Sequence, residues 1–225
     1  MHAAPKVLPV LNAAIDDIQV NANQAPRKID LNSTFGTEAI DDNVVRFTSQ
    51  TSNGGLVMDF ALFSNRTPLT RANFLNYVTS NRYDQSFIHR SVPGFVIQGG
   101  GFFNSAPESG LIVSSIPTDP AVTNEYGVSN TYSTISMAKT GGDPNSATSQ
   151  WFVSLGDNSE NLDNQNGGFT VFGRVTKSTM PSAAAFGNPA QFPIWNAGGA
   201  FTNLPLNASF DNSANITDTD LILFP

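Results

Sequence analysis

Phe87-Ile-His-Arg-Ser-Val-Pro-Gly-Phe-Val-Ile-Gln-Gly-Gly-Gly-Phe102 decides how this chain is read. Its two apolar runs, Phe87-Ile88-His89-Arg90 and Phe95-Val96-Ile97-Gln98, flank Val92-Pro93-Gly94. Short runs of Phe, Ile and Val around a Pro-Gly pair read as two strands joined by a turn. Gly99-Gly100-Gly101 then closes the stretch. A phosphate loop would need a following Lys-Ser/Thr at fixed spacing, which is absent, so the glycines read as a bend in a strand. Arg90 stands out: taken alone, a guanidinium in an apolar strand is an ion-pair partner or a functional group.

The neighbouring chain supplies more short strands. Upstream, Val44-Val45-Arg46-Phe47 and Leu56 to Phe63 form a hairpin across Asn53-Gly54-Gly55. In its second arm Leu56, Met58, Phe60 and Leu62 alternate with Val57, Asp59, Ala61 and Phe63, the period-two signature. Thr67-Pro68 opens a helix, with Thr67 as N-cap and Thr70, Asn73, Phe74, Tyr77 and Val78 on one face. Downstream, Ile135–Ala138, Gln150–Leu155 and Thr170–Val175 read as strands, Met180 to Phe186 as a second helix, and Leu221–Phe224 as a closing strand. Many short strands with two helices predict a mainly β, closed antiparallel barrel. Residues 1–42, with short β-like runs at Ile18–Val20 and Ile29–Leu31, form an N-terminal extension. Residues 43–225 form the domain, including a C-terminal tail over 187–225.

Composition narrows the function. Forty per cent apolar residues over 225 positions can bury a sizeable core, and 17 Phe against 2 Trp and 4 Tyr predict a Phe-rich one. A net charge of −7 with no basic stripe argues against nucleic-acid binding. No apolar run is long enough for a membrane span. Without cysteine there is no disulfide, thiolate nucleophile or Cys-ligated zinc. Abundant Asn and Thr with few Lys lean toward an exported protein, periplasmic or extracellular, rather than a cytoplasmic one. Sequons begin at Asn32, Asn65, Asn207 and Asn215, and matter only in a host that glycosylates.

Other chemistries find little support. The histidines are His2 and His89, and there is no Gly-X-Ser-X-Gly elbow, so a Ser-His-Asp triad is disfavoured. His89 reads as a hydrogen-bonded structural residue. Asp157, Ser159 and Asn161 open an oxygen-rich loop, but Leu162 replaces the sharp-turn glycine and Gly168 the twelfth-position Glu of a calcium loop. No metal and no cofactor is expected.

Three blocks together resemble the cyclophilin family. The opening stretch follows its pattern of Phe, any residue, His-Arg, two residues, Pro-Gly-Phe, two residues, Gln-Gly-Gly or Gln-Gly-Asp. Ile135-Ser-Met-Ala-Lys-Thr-Gly-Gly-Asp-Pro-Asn-Ser-Ala-Thr-Ser-Gln-Trp-Phe152 resembles the Ser-Met-Ala … Ser-Gln-Phe-Phe segment. Asn161-Leu-Asp163 through Val171-Phe-Gly-Arg-Val175 resembles Leu-Asp … Val-Phe-Gly-Lys-Val. The blocks keep family order and spacing across about residues 44 to 180.

The resemblance implies a closed eight-stranded antiparallel barrel capped by two α-helices, with a proline-binding groove on its outer wall. It implies a peptidyl-prolyl cis/trans isomerase acting on proline-containing polypeptides, expected to be a monomer. Position by position, Arg90 matches the catalytic arginine and Gln98 the groove glutamine. Phe95, Met137, Phe152 and Leu162 match the proline pocket, Ala138 and Lys139 the edge that meets substrate backbone, Gln150 a further groove residue, and Phe169 a ring at the rim. The chemistry agrees, since rotating an X-Pro amide breaks no bond and needs no nucleophile or metal. A fixed guanidinium aimed at the amide nitrogen favours the twisted state over the planar one.

Three positions depart from the commonest family pattern. Asn161 stands where many members carry a cyclosporin-contacting Trp, so weak cyclosporin binding is expected. Phe169 replaces a frequent His, and Lys139 a common Asn. The competing reading is a barrel that holds X-Pro segments without turning them over. A third gives the extension and the tail from Pro189 to Asp220 a docking role, with Pro193-Ile194-Trp195 as apolar anchor, although packing against the barrel is favoured.

Overall fold

The computed structural model describes residues 44–225 except 51–54, 64 and 212–214, together with the backbone of 8–11, 35–38 and 40–43. The β-like runs at Ile18–Val20 and Ile29–Leu31 lie outside the described residues. Within the extension, β1 (Leu8–Leu11) pairs antiparallel with β2 (Phe35–Glu38).

The domain is built on a seven-stranded antiparallel sheet. In chain order its members are β3 (Ile40–Thr48), β4 (Val57–Phe63), β6 (Arg90–Val92), β7 (Val96–Gly99), β10 (Thr134–Met137), β11 (Trp151–Ser154) and β12 (Val171–Val175), in spatial order β3-β4-β12-β10-β11-β7-β6. A second sheet has the order β15-β5-β8-β9, from β5 (Ser86–Phe87), β8 (Phe102–Asn104), β9 (Val113–Ser115) and β15 (Leu223–Phe224). In the tail, β13 (Ile194–Trp195) pairs with β14 (Leu204–Pro205).

The expected closed eight-stranded barrel is therefore corrected to an open, curled arrangement. The ladder is interrupted at Ile88–His89, between β5 and β6. On the far side, among the described residues, a single bridge, Gln50 to Leu223, joins the two sheets. The expected hairpin of β3 and β4 is present, with Phe47 opposite Met58 and Val45 opposite Phe60. The apolar tail end serves as a strand, Leu223 opposite Phe87.

Among the described residues three α-helices are present where two are expected: α1 (Pro68–Thr79), α2 (Ser159–Leu162) and α3 (Met180–Phe186). Helix α1 buries Thr70, Asn73, Phe74 and Tyr77, four of the five residues assigned to its inner face. Its cap differs from expectation. Thr67 makes no side-chain cap bond, and its Oγ1 is buried without a partner. Glu125, from a distant loop, accepts instead from Leu69 N at 3.1 Å and Thr70 N at 2.8 Å. The unexpected single turn α2 lies in the oxygen-rich loop, where Asp157 Oδ1 accepts from Ser159 N and Ser159 Oγ at 3.1 and 2.6 Å.

The core is Phe-rich. Phe47, Phe60, Phe74 and Trp151 form edge-to-face and stacked pairs with centroids 5.3–6.4 Å apart, and Phe172 and Phe224 extend the cluster. Such pairs add about 0.5–1.5 kcal/mol each beyond the area they bury. A second cluster lies outside the main sheet. Phe87 packs there with Leu204, Leu206, Phe210, Leu221 and Leu223, and Trp195 lies 5.3 Å from Phe210. The tail is thus packed on the domain. The Asn207 sequon is consumed by it: Asn207 is 2% exposed, and its Nδ2 donates to Thr219 O and Leu221 O at 2.8 and 3.0 Å.

Candidate active site

The outer face of the main sheet brings together one residue from each of four strands. Register places Ser136 opposite Phe152, Phe152 opposite Gln98, and Gln98 opposite Arg90. Side chains of a strand alternate between faces, so all four share this side. Val96 joins them, two positions before Gln98 and opposite Ser154. The other side, carrying Trp151, Ile97 and Ile135, faces the core.

A pocket of about 260 Å³ opens on this face. It is lined by Arg90, Phe95, Val96, Gln98, Ala138, Lys139, Phe152, Leu162, Gln165 and Phe169. Val96, Phe152 and Leu162 are buried as one apolar cluster, with Phe95, Ala138 and Phe169 packed on it. The rings of Phe152 and Phe169 meet edge to face at 5.7 Å. Leu162 reaches the pocket from α2, and the carbonyl of Leu162 accepts from Phe169 N at 3.1 Å. Phe95 is fixed by its own backbone, its carbonyl accepting from Leu155 N at 2.8 Å and Asn158 Nδ2 at 2.9 Å.

Polar groups line one side. Arg90 Nη1 donates to Gln98 Oε1 at 3.4 Å, and Gln98 Nε2 donates to Gln150 Oε1 at 2.8 Å. No ion pair among the described residues engages Arg90, so its charge is not neutralised there. Beyond Gln150, across Gly101, lies His89, which is 3% exposed and whose Nδ1 is buried without a hydrogen-bond partner. Burial, with the neighbouring Arg90 charge, lowers the His89 pKa to about 4, so the ring is neutral at ordinary pH. Gly101 lets these groups meet: a Cβ there would lie 2.9 Å from Gln150 Cδ and 3.1 Å from His89 Cε1.

Eight of the ten residues assigned from the sequence line this pocket. Gln150 lines an adjoining recess of about 140 Å³ that shares Gln98, Ala138 and Lys139 with it. Met137 is not brought to the site. It sits opposite Trp151, fully buried on the core face. The alternation of β10 carries the information, since Ser136 and Ala138 flank Met137 and take the other side. Val96 and Gln165 line the pocket without having been assigned. Parity with Gln98 would have found Val96; Gln165 has no motif around it.

A family model described as cyclophilin type peptidyl-prolyl cis-trans isomerase/CLD matches residues 46–182. The chain belongs to this family. Among cyclophilins it resembles a peptidyl-prolyl cis-trans isomerase of Acinetobacter baylyi, 37% identical over 53% of this chain and 61% of that one. Isomerase A of Dickeya dadantii is 39% identical over 56% of this chain and 63% of its own length. Isomerase B of Escherichia coli is 36% identical over 57% of this chain and 76% of its own. The chain thus spans about three fifths of the Acinetobacter and Dickeya proteins. Among solved structures, a Cryptosporidium parvum cyclophilin determined in the presence of the dipeptide Ala-Pro overlaps 80% of this chain and 99% of its own, with a TM-score of 0.48 and 20% identity.

Proposed function

We propose that this cyclophilin is a peptidyl-prolyl cis/trans isomerase that accelerates rotation about X-Pro bonds in polypeptides. The observation that carries the reading is the juxtaposition of the un-neutralised Arg90 guanidinium with the apolar Val96–Phe152–Leu162 pocket. The X-Pro amide is held planar by resonance, with a rotation barrier of about 18–20 kcal/mol. Twisting it localises a lone pair on the proline nitrogen. A guanidinium directed at that nitrogen stabilises the twisted state more than the planar one, and only such differential stabilisation lowers a barrier. Arginine suits the task because it stays charged and presents fixed donors.

The remaining residues position. The pocket takes the pyrrolidine ring while the chain on the other side of the bond turns. Gln98 orients Arg90, and Gln150 holds the Gln98 amide so that its oxygen, not its nitrogen, faces the guanidinium. Lowering the barrier by roughly 7 kcal/mol corresponds to about 10⁵-fold acceleration.

The test is an isomerisation assay on a proline tetrapeptide with wild type and Arg90→Ala. Loss of a preorganised donor at developing charge costs about 10²–10³-fold, and a fall of that order in kcat/KM is expected. Equal rates in the two proteins would instead favour a module that binds X-Pro segments without turnover. Asn161 is exposed beside Leu162 and gives cyclosporin no indole to pack on. Weak binding is expected in a titration, and nanomolar affinity would refute that expectation.

A further inference from the structure

Lys139 lines both the proline pocket and the recess beside it, yet its ammonium is committed to the protein's own backbone. Nζ donates to Gly168 O at 2.7 Å and Asn166 O at 2.8 Å, and lies 4.8 Å from the centre of the Phe169 ring. The two carbonyls converge because Asn166, Gly167 and Gly168 take left-handed backbone in succession, with φ of 49°, 74° and 74°. Asn124 grips the same turn, its Nδ2 donating to Gly167 O at 2.8 Å and Gly168 O at 3.1 Å. Asn166 Nδ2 in turn donates to Thr140 O at 2.9 Å, one residue beyond Lys139.

This turn carries Gln165 and runs directly into Phe169, so its conformation sets one wall of the pocket. Gln165 and Gly167 are exposed, while Gly168 is buried against the Tyr126 ring and Gly167 lies beside Pro144. With three successive residues in left-handed backbone, the turn also relies on the hydrogen bonds to its carbonyls, the kind of segment that opens locally when they are removed. Burial lowers the Lys139 pKa, as befits an ammonium withdrawn from water into a ring of carbonyls.

We propose that Lys139 is a positioning residue: its ammonium clamps the Asn166 and Gly168 carbonyls and thereby fixes Phe169 at the rim of the proline pocket. Lys139 then tightens substrate binding without touching the bond that rotates. The proposal rests on the reading that this pocket receives a proline ring.

The test compares full-length wild type, Lys139→Met and Lys139→Arg. Methionine keeps an apolar stem but removes all three donors; arginine restores donors and charge. Two readouts are taken: steady-state kinetics on an Ala-Pro tetrapeptide, and amide hydrogen exchange over 164–169. For Lys139→Met, KM should rise about tenfold with kcat within about twofold, the pattern of lost binding that is equal in ground and transition states. The amides of Gly168 and Phe169, bonded to Gln165 O and Leu162 O, should exchange faster, and Lys139→Arg should recover most of both effects. Unchanged exchange in Lys139→Met would overturn the proposal. So would a fall in kcat at constant KM, which would make Lys139 a contact of the reacting bond. A wild type without isomerase activity would sink the functional reading, while the exchange comparison would still decide whether Lys139 fixes the turn.

Discussion

Arg90 and His89 are adjacent in the chain, yet the guanidinium lines the outer pocket while the imidazole is buried 5.1 Å from the Phe102 ring. That burial has a cost that depends on pH. The unfolded chain binds a proton at His89 with a pKa near 6.5, whereas the folded chain resists until about 4. Between those values the unfolded state holds more protons, so stability is greatest above pH 6.5 and falls as pH drops toward 4. At about 1.4 kcal/mol per pH unit, lowering the pH from 7 to 5 should remove about 2 kcal/mol. Urea titrations at the two pH values should show that loss in wild type and most of it absent in His89→Gln. An equal loss in both proteins would mean that His89 is not the group titrating. The sequence marked His89 as structural from its apolar setting, but not that it lies near Gln150, where the hydrogen bonds from Arg90 through Gln98 end. That arrangement takes Arg90 from β6, Gln98 from β7 and Gln150 from the residue before β11, and needs the close approach at Gly101. Met137 was misassigned because a motif match gives position along the chain, while the face is given by the alternation of β10.

At the scale of elements, helix α1 shows where local signals stop being sufficient. The Thr67-Pro68 pair and the spacing of Thr70, Asn73, Phe74 and Tyr77 locate the helix and its buried face correctly, because both depend only on near neighbours in the chain. The cap does not: Glu125, more than fifty residues away, takes the free N–H groups that Thr67 was expected to take. Opposite outcomes follow for two substitutions. Glu125→Ala should destabilise the chain by about 1 kcal/mol, the usual worth of a cap plus a carboxylate at a helix N-terminus. Thr67→Val should cost nothing measurable or stabilise slightly, since it replaces a buried hydroxyl that has no partner with a methyl of similar shape. If Thr67 capped the helix, Thr67→Val would lose about as much as Glu125→Ala, and thermal unfolding of the two variants separates the cases. The single turn α2 was hidden for a related reason. Four residues are too few for periodicity to show, and the turn is held by Asp157 and by contacts that Leu162 makes in the pocket.

For the whole molecule, the tail is the part that sequence motifs describe least, because it lies beyond the residues matched by the family model. The structure makes it part of the domain in three ways. It supplies β15, which pairs with β5 directly upstream of Arg90 and meets Gln50 at the bridge between the sheets. It covers Phe87 with Leu204, Leu206, Leu221 and Leu223. It also occupies the free edge of β6, where Ser91 N donates to Asn203 O at 2.8 Å, one residue from the catalytic candidate. An exposed strand edge invites pairing with other chains, and an exposed Phe87 cluster would add an apolar patch beside it. Ending the chain at Gly187 should therefore give an aggregating or molten product that binds a hydrophobic dye, not a smaller active isomerase. Within the full-length chain, Leu206→Ala probes the same packing more gently. Leu206 is fully buried, so its truncation should cost about 2–5 kcal/mol. The surviving folded fraction should keep most of its kcat/KM, because Leu206 stabilises the fold without lining the pocket. A soluble, cooperatively folding 1–187 chain with undiminished activity would show instead that the seven-stranded sheet holds β6 and Arg90 in place by itself.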